Sequence, residues 1–266
     1  MSYQLKVDGK LSINGREIRG SHSPTETFKD DVVTEIGSST RTSIVKTINR
    51  MKIYDDTGTL QEDLPISKIF DNTSESPPNV VFRVSYTATK TYNIARIDLI
   101  ARVDTTDYIY FSYTLDTPVS VDVDYGVRID YKITITMTAL TANTSIDTSY
   151  TRINYYLLKI LIGSRTIGGI EYYLNFDHLE IWSDTTKVGD ITEESRTYDT
   201  TNNYAEWKGK ITPTSDISYN KVVMFCHAWD TSIDEPSPYH GVALSLTSPD
   251  TLYADVTYTF YFRIKI

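Results

Sequence analysis

Val127-Arg128-Ile129-Asp130-Tyr131-Lys132-Ile133-Thr134-Ile135 alternates apolar and polar residues without a break. In an extended chain this spacing puts Val127, Ile129, Tyr131, Ile133 and Ile135 on one face and the polar residues on the other, the pattern of a strand with one side in a core. The pattern returns near the C-terminus in Val256-Thr257-Tyr258-Thr259-Phe260-Tyr261-Phe262-Arg263-Ile264. Read residue for residue, Val127 to Ile135 matches Val256 to Ile264.

Other landmarks recur in the same order, at a spacing of about 126 to 131 residues. Ile36-Gly37-Ser38 is echoed by Ile162-Gly163-Ser164, and Met51-Lys52-Ile53-Tyr54-Asp55-Asp56-Thr57 by Leu179-Glu180-Ile181-Trp182-Ser183-Asp184-Thr185. Asp104-Thr105-Thr106 returns as Asp230-Thr231-Ser232, and Leu115-Asp116-Thr117-Pro118 as Leu246-Thr247-Ser248-Pro249. Turn-forming stretches such as Ser76-Pro77-Pro78-Asn79 and Thr200-Thr201-Asn202-Asn203 separate the runs, which gives about eight strands per repeat. The prediction is an all-β chain of two consecutive jelly-roll-like β-sandwich domains of the same fold, residues 25–140 and 141–266. They meet at the small polar stretch Ala139 to Ser145.

Residues 1–24 have no counterpart in the second repeat. Tyr3, Leu5 and Val7 alternate up to Asp8-Gly9, and Leu11 and Ile13 alternate up to Asn14-Gly15, which predicts an N-terminal hairpin with two turn signals. Such a hairpin is marginal alone. It packs either on its own first domain or on a neighbouring subunit, and in the second case Leu5, Val7, Leu11 and Ile13 form an assembly arm. Tyr155-Tyr156-Leu157-Leu158-Lys159-Ile160-Leu161-Ile162 is too short to span a bilayer and reads as a buried strand. Leu60 to Phe70 is compatible with strands or a short helix.

The 40% hydrophobic and 23% charged fractions are those of a folding chain, and 21 Tyr against 8 Phe favours pleated surfaces. A net charge of −9 supplies no cationic field for phosphates, which argues against nucleic acid as a partner. The N-terminus carries no apolar stretch of signal-peptide length.

Catalysis needs a base, a nucleophile and an orienting group brought together, and the four histidines, His22, His178, His227 and His240, lie far apart in sequence without a ligand spacing. Cys226 and His227 are adjacent on one strand, so their side chains point to opposite faces. No enzyme activity, catalytic residue, cofactor or metal is expected. All three tryptophans, Trp182, Trp207 and Trp229, fall in the second repeat near the positions of Tyr54, Phe82 and Val103. They are either core aromatics or, with Tyr239, a glycan-stacking surface. Asn72-Thr73-Ser74 and Asn143-Thr144-Ser145 fit the N-glycosylation acceptor pattern.

The tandem sandwich pattern, the Tyr- and Thr-rich acidic composition and the N-terminal extension resemble the turret, spike and vertex proteins of icosahedral viruses of hyperthermophilic archaea, which are built from consecutive jelly rolls. The resemblance covers Phe28 to Ile266 and rests on the duplicated pattern, with no diagnostic motif. It implies a virion structural protein, a homo-oligomeric capsid vertex or penton component, with a pentamer as one such arrangement. Assembly in the host cytoplasm, contacts with other capsid proteins, and a host receptor or glycan as a further partner are implied with it. The alternatives are a phage tail, baseplate or receptor-binding protein, and a carbohydrate-binding module.

Overall fold

A computed structural model describes residues 1–230, 235–236 and 239–266, with backbone alone at 229, 230, 235, 236 and 239. Its first half contains β1 (Ser2–Ile13), β2 (Arg16–Ile18), β3 (Gly20–Pro24), α1 (Glu26–Gly37), β4 (Arg50–Tyr54), β5 (Leu60–Pro65), β6 (Lys68–Asn72), β7 (Asn79–Thr87), β8 (Tyr92–Val103), β9 (Thr106–Val121) and β10 (Gly126–Ala139). The second contains β11 (Thr144–Ile146), α2 (Ile153–Leu161), β12 (Thr166–Ile167), β13 (Ile170–Ser183), β14 (Thr186–Asp199), β15 (Tyr204–Ile211), β16 (Ile217–Asp230), β17 (Glu235–Pro236), β18 (Tyr239–Leu252) and β19 (Tyr258–Lys265). The chain is all-β and forms sandwiches, as the alternation predicts. Among the described residues no helix is long and apolar enough to cross a membrane.

The strand orders of the two halves repeat. One sheet of the first half runs β3-β9-β8-β4-β5, and its counterpart in the second runs β11-β18-β16-β13-β14. The opposite layers are β6-β7-β10 and β14-β15-β19. In the second half the single strand β14 serves both layers: Thr186 to Ile191 pair with β13, and Thr192 to Asp199 pair with β15 past a bulge between Glu193 and Ser195. In the first half Pro65 ends that strand early, because proline cannot continue a ladder. Leu60 to Phe70 therefore lies within two short strands, β5 on β4 and β6 on β7.

Core pairs set the register of the duplication. Met51 opposite Leu99 corresponds to Leu179 opposite Met224, and Phe82 opposite Tyr131 to Trp207 opposite Phe262. Tyr131 and Phe262 stand 131 residues apart, as do Asp124 and Asp255, the left-handed residues before the last strands, with φ of 63° and 61°. Val127 therefore corresponds to Tyr258 rather than Val256. A shift of two preserves alternation, so the sequence pattern alone does not distinguish the two registers.

β1 joins the halves. It pairs antiparallel with β10 from Tyr3 opposite Ala139 to Ile13 opposite Ile129, and parallel with β19 from Ser2 opposite Arg263 to Gln4 opposite Lys265. One sheet thus runs β6-β7-β10-β1-β19-β15-β14 across both sandwiches. The turn expected at Asp8-Gly9 does not form. Gly9 stays in the strand because its missing Cβ leaves room for the His22 ring, whose Nδ1 would lie 2.2 Å from it. Asn14-Gly15 does turn, with φ of 53° and 81° and Ile13 opposite Arg16, a two-residue hairpin. Tyr3, Leu5, Leu11 and Ile13 are buried and Val7 half-buried against the chain's own core, so these side chains are not a projecting arm.

Two helices lie at the junction. Thr25 caps α1 by accepting the Phe28 N–H, and Phe28, Val32, Val33 and Ile36 form its buried stripe. α1 packs on β9 and also on β13, β14 and β15 of the other half. The apolar run Tyr155 to Ile162, read as a strand, belongs instead to α2 and its C-cap, with buried residues all round, closed by Gly163 at φ 80°. Both Ile-Gly landmarks mark helix ends.

Candidate functional site

The outer faces of the corresponding sheets β5-β4-β8-β9 and β14-β13-β16-β18 have diverged. On the first, Arg50 and Arg102 both bind Asp63, while Arg102 and Lys52 both bind Asp107. Asp63 and Asp107 are thus paired within the face, and the Arg102 guanidinium, with Lys52, holds Asp107 well below the usual carboxylate range.

On the second, alternation along β16 sends Val222, Met224, Cys226 and Ala228 into the main core and Val223 and Phe225 outward, where they form a small second core with Ala243. Trp182 on β13 and Tyr150 pack against it. His178 stacks on Phe225 at 4.5 Å and 8°. His240 lies 4.8 Å from Phe225 and edge-on to Tyr150 at 4.9 Å. Tyr150 reaches this face on the turn between β11 and α2, which is fastened to β16 and β18. Lys221 Nζ donates to Asp147 at 2.8 Å, Ala243 N to Thr151 Oγ1 at 3.1 Å, and Arg152 N to Gly241 O at 2.9 Å. The Lys221 ammonium also sits 3.9 Å from the Tyr150 ring centroid.

Polar groups border these rings. Glu180 accepts from Trp182 Nε1 at 2.8 Å, from Lys187 at 3.0 Å and from His178 Nε2 at 3.3 Å. His178 Nδ1 meets Asp177 at 2.9 Å, and Asp177 also lies 3.5 Å from His227 Nδ1. Burial opposes protonation of His178, but Asp177 and Glu180 outweigh it and raise its pKa above the ordinary value. Burial instead lowers His227, against the pull of Asp177, and lowers His240, with Arg152 acting in the same direction. Three of the four histidines thus share one face with Asp177 and Glu180, although they lie far apart in sequence. The signal for His178, Glu180 and Trp182 is their even spacing, and for Phe225 and His227 likewise. The register that brings in His240 depends on a bulge between Met224 and Phe225.

Among the described residues no group of three or more His, Cys, Asp or Glu side chains is arranged to hold a metal ion. The Cys226 thiol points inward with Gly241 against its Sγ, and burial pushes its pKa well up, which leaves it poorly nucleophilic.

The other sequence candidates are dispersed. Trp207 is fully buried in the main core, while Trp182 is half-buried on the outer face. The side chains of Trp229 and Tyr239 lie outside the described residues. Asn72 is half-buried in β6, its amide donating to Asn79 Oδ1 at 3.1 Å. Asn143 is exposed in the turn between β10 and β11, at φ 59°. No protein-family model matches the chain, and no curated protein matches it in sequence.

Proposed function

We propose that this chain is a structural subunit of a virus particle, a homo-oligomeric vertex or turret component whose activity is the presentation of shape. The observation that carries the reading is the sharing of β1 by both sandwiches, which makes one continuous sheet of a duplicated fold. A flexible tandem would present its ends at variable angles, whereas a shared strand fixes them. β10 runs antiparallel to β1 and β19 parallel to it, so the equivalent loops before β10 and β19 point to opposite ends of the sheet. Each carries exposed apolar side chains: Val123 and Tyr125 at 51% and 55% exposure, Tyr253 and Val256 at 59% and 45%. Exposed aromatics at such positions suit burial against neighbouring subunits. Light scattering and electron microscopy of the purified full chain test the reading: a closed homo-oligomer of uniform size supports it, and a strict monomer up to high concentration contradicts it.

The aromatic outer face of the second half favours a second reading, recognition of a host receptor or glycan, since Trp182 stands where the first half has Tyr54 beside an ionic network. Glycan binding lost in Trp182→Ala with the oligomer unchanged supports that role. Binding that survives the substitution excludes this face.

A further inference from the structure

We infer that the groove around Lys132, on the outer face of β6, β7, β10 and β1, receives the loop Asp122 to Tyr125 of a second copy of this chain, a contact that rests on the homo-oligomeric reading above.

The internal duplication shows what this groove lacks. In the second half Arg263 of β19 lies opposite Glu206 of β15, and its guanidinium is 2.7 Å from the Glu206 carboxylate. The counterparts in the first half are Lys132 of β10 and Val81 of β7, which also lie opposite each other. The cation is kept there, but an apolar side chain stands in place of its carboxylate. On its other side Lys132 faces Lys10 of β1, and like charges directly opposite in an antiparallel pair repel.

The two carboxylates of the groove do not relieve this. Glu17 lies 3.2 Å from Lys10 Nζ, and Asp130 accepts two bonds from the Arg83 guanidinium at 2.5 and 2.8 Å. Lys132 is half-buried, yet no carboxylate pairs with it among the described residues. The groove above it has a volume of about 580 Å³, and half-buried Val81 and Phe70 line it. It therefore suits a carboxylate flanked by apolar side chains.

The loop before β10 presents that combination. Asp122-Val123-Asp124-Tyr125 alternates carboxylates with apolar side chains, and all four residues are exposed. Neither carboxylate meets a cation among the described residues. The loop backbone is already fixed: Asp124 N donates to Ala88 O at 2.8 Å, Ala88 N to Tyr125 O at 3.0 Å and Tyr125 N to Asp122 O at 3.2 Å. Little ordering is left to oppose docking. The equivalent loop before β19, Tyr253 to Val256, carries a single carboxylate, Asp255, and matches the groove less well. In the docked pair the loop carboxylates give Lys132 the charge that Glu206 gives Arg263, while Val123 and Tyr125 cover Val81 and Phe70.

The test is sedimentation of the full chain against concentration, in the wild type and in charge-reversed variants. Lys132→Glu should weaken association by about tenfold or more, because it sets the loop carboxylates against a like charge. The melting temperature of the dilute, dissociated variant should stay level or rise, since the repulsion from Lys10 is gone. Asp122→Lys combined with Asp124→Asn, where Asn keeps the left-handed backbone at φ 63°, should weaken association as strongly. Joining these loop changes to Lys132→Glu should restore association to near the wild-type level. Association that Lys132→Glu leaves unchanged overturns the inference but not the homo-oligomeric reading, as does a combined variant no better than its parents. A lowered melting temperature in dilute Lys132→Glu would mean that Lys132 has its partner within the subunit, and overturns it too. Loss of association in Lys132→Glu with the loop variant behaving as wild type assigns the groove to a different occupant and likewise overturns it. A wild-type chain that stays monomeric overturns both.

Discussion

Glu35 of the first half and Arg165 of the second meet at 2.7 Å, with the Glu35 side chain wholly excluded from solvent. Five donors converge on this carboxylate: the backbone N–H groups of Ile44, Val45 and Leu174, and both terminal nitrogens of Arg165. Arg165 also donates to the carbonyls of Val45 and Tyr172. The pair ties the end of α1, the loop after it and the start of β13 into one polar knot between the sandwiches.

Glu35→Ala should therefore destabilise the chain by about 3 to 5 kcal/mol, since it leaves a guanidinium without its carboxylate and three N–H groups, two of them buried, without their acceptor. Urea unfolding measures this, and a loss below about 1 kcal/mol would mean that the pair contributes little.

Gly9→Ala should cost about 1 to 3 kcal/mol, because its Cβ would enter the His22 ring and overpack that contact. The double variant with His22→Ala should recover part of the loss. If the two costs add without interaction, the two residues do not share the space.

Acid should expose the same histidine. Burial lowers the His22 pKa to about 4, against the raising pull of Asp8, while Nδ1 rests 2.9 Å from Tyr131 Oη. The fold prefers the neutral ring, so its contribution is complete above pH 6.5 and lost as pH falls toward 4, by about 3 kcal/mol in all. His178 has the opposite sign. Its raised pKa gives a contribution complete below pH 6.5 and lost as pH rises through the folded value. Stability measured against pH should become flatter on the acid side in His22→Asn. In His178→Asn, the loss relative to wild type should be larger in acid than in base. Parallel curves for all three proteins would contradict both assignments.

The two described tryptophans should separate in energy. Trp207→Ala opens a cavity in the main core and should cost about 3 to 5 kcal/mol, whereas Trp182→Ala, on a half-buried ring, should cost about half as much or less. Equal losses in chemical denaturation would contradict the placement of Trp182 on the outer face.

Much of this architecture is legible in the sequence, because a period of two is a local signal. The alternation from Val127 to Ile135, the Asn14-Gly15 turn and the correspondence of Phe82 with Trp207 all show in the residues. α2 is not legible in the same way: a short continuous apolar run fits a buried strand or a buried helix, and the choice is made by packing. α1 carries a better clue, since Phe28, Val32, Val33 and Ile36 have helical spacing. Asp8-Gly9 has turn chemistry, but eleven paired positions along β10 and the His22 ring beneath Gly9 override it. The histidine face depends on which strands become neighbours, and no local pattern records that.

Calorimetry of the full chain and of Leu5→Asp, which puts a charge into the core beneath β1, tests most directly whether the shared strand makes two sandwiches one body. The account predicts a single unfolding transition in the wild type that moves as a whole to lower temperature in the variant. Two transitions in the wild type, or a second-half transition that Leu5→Asp leaves in place, would contradict it.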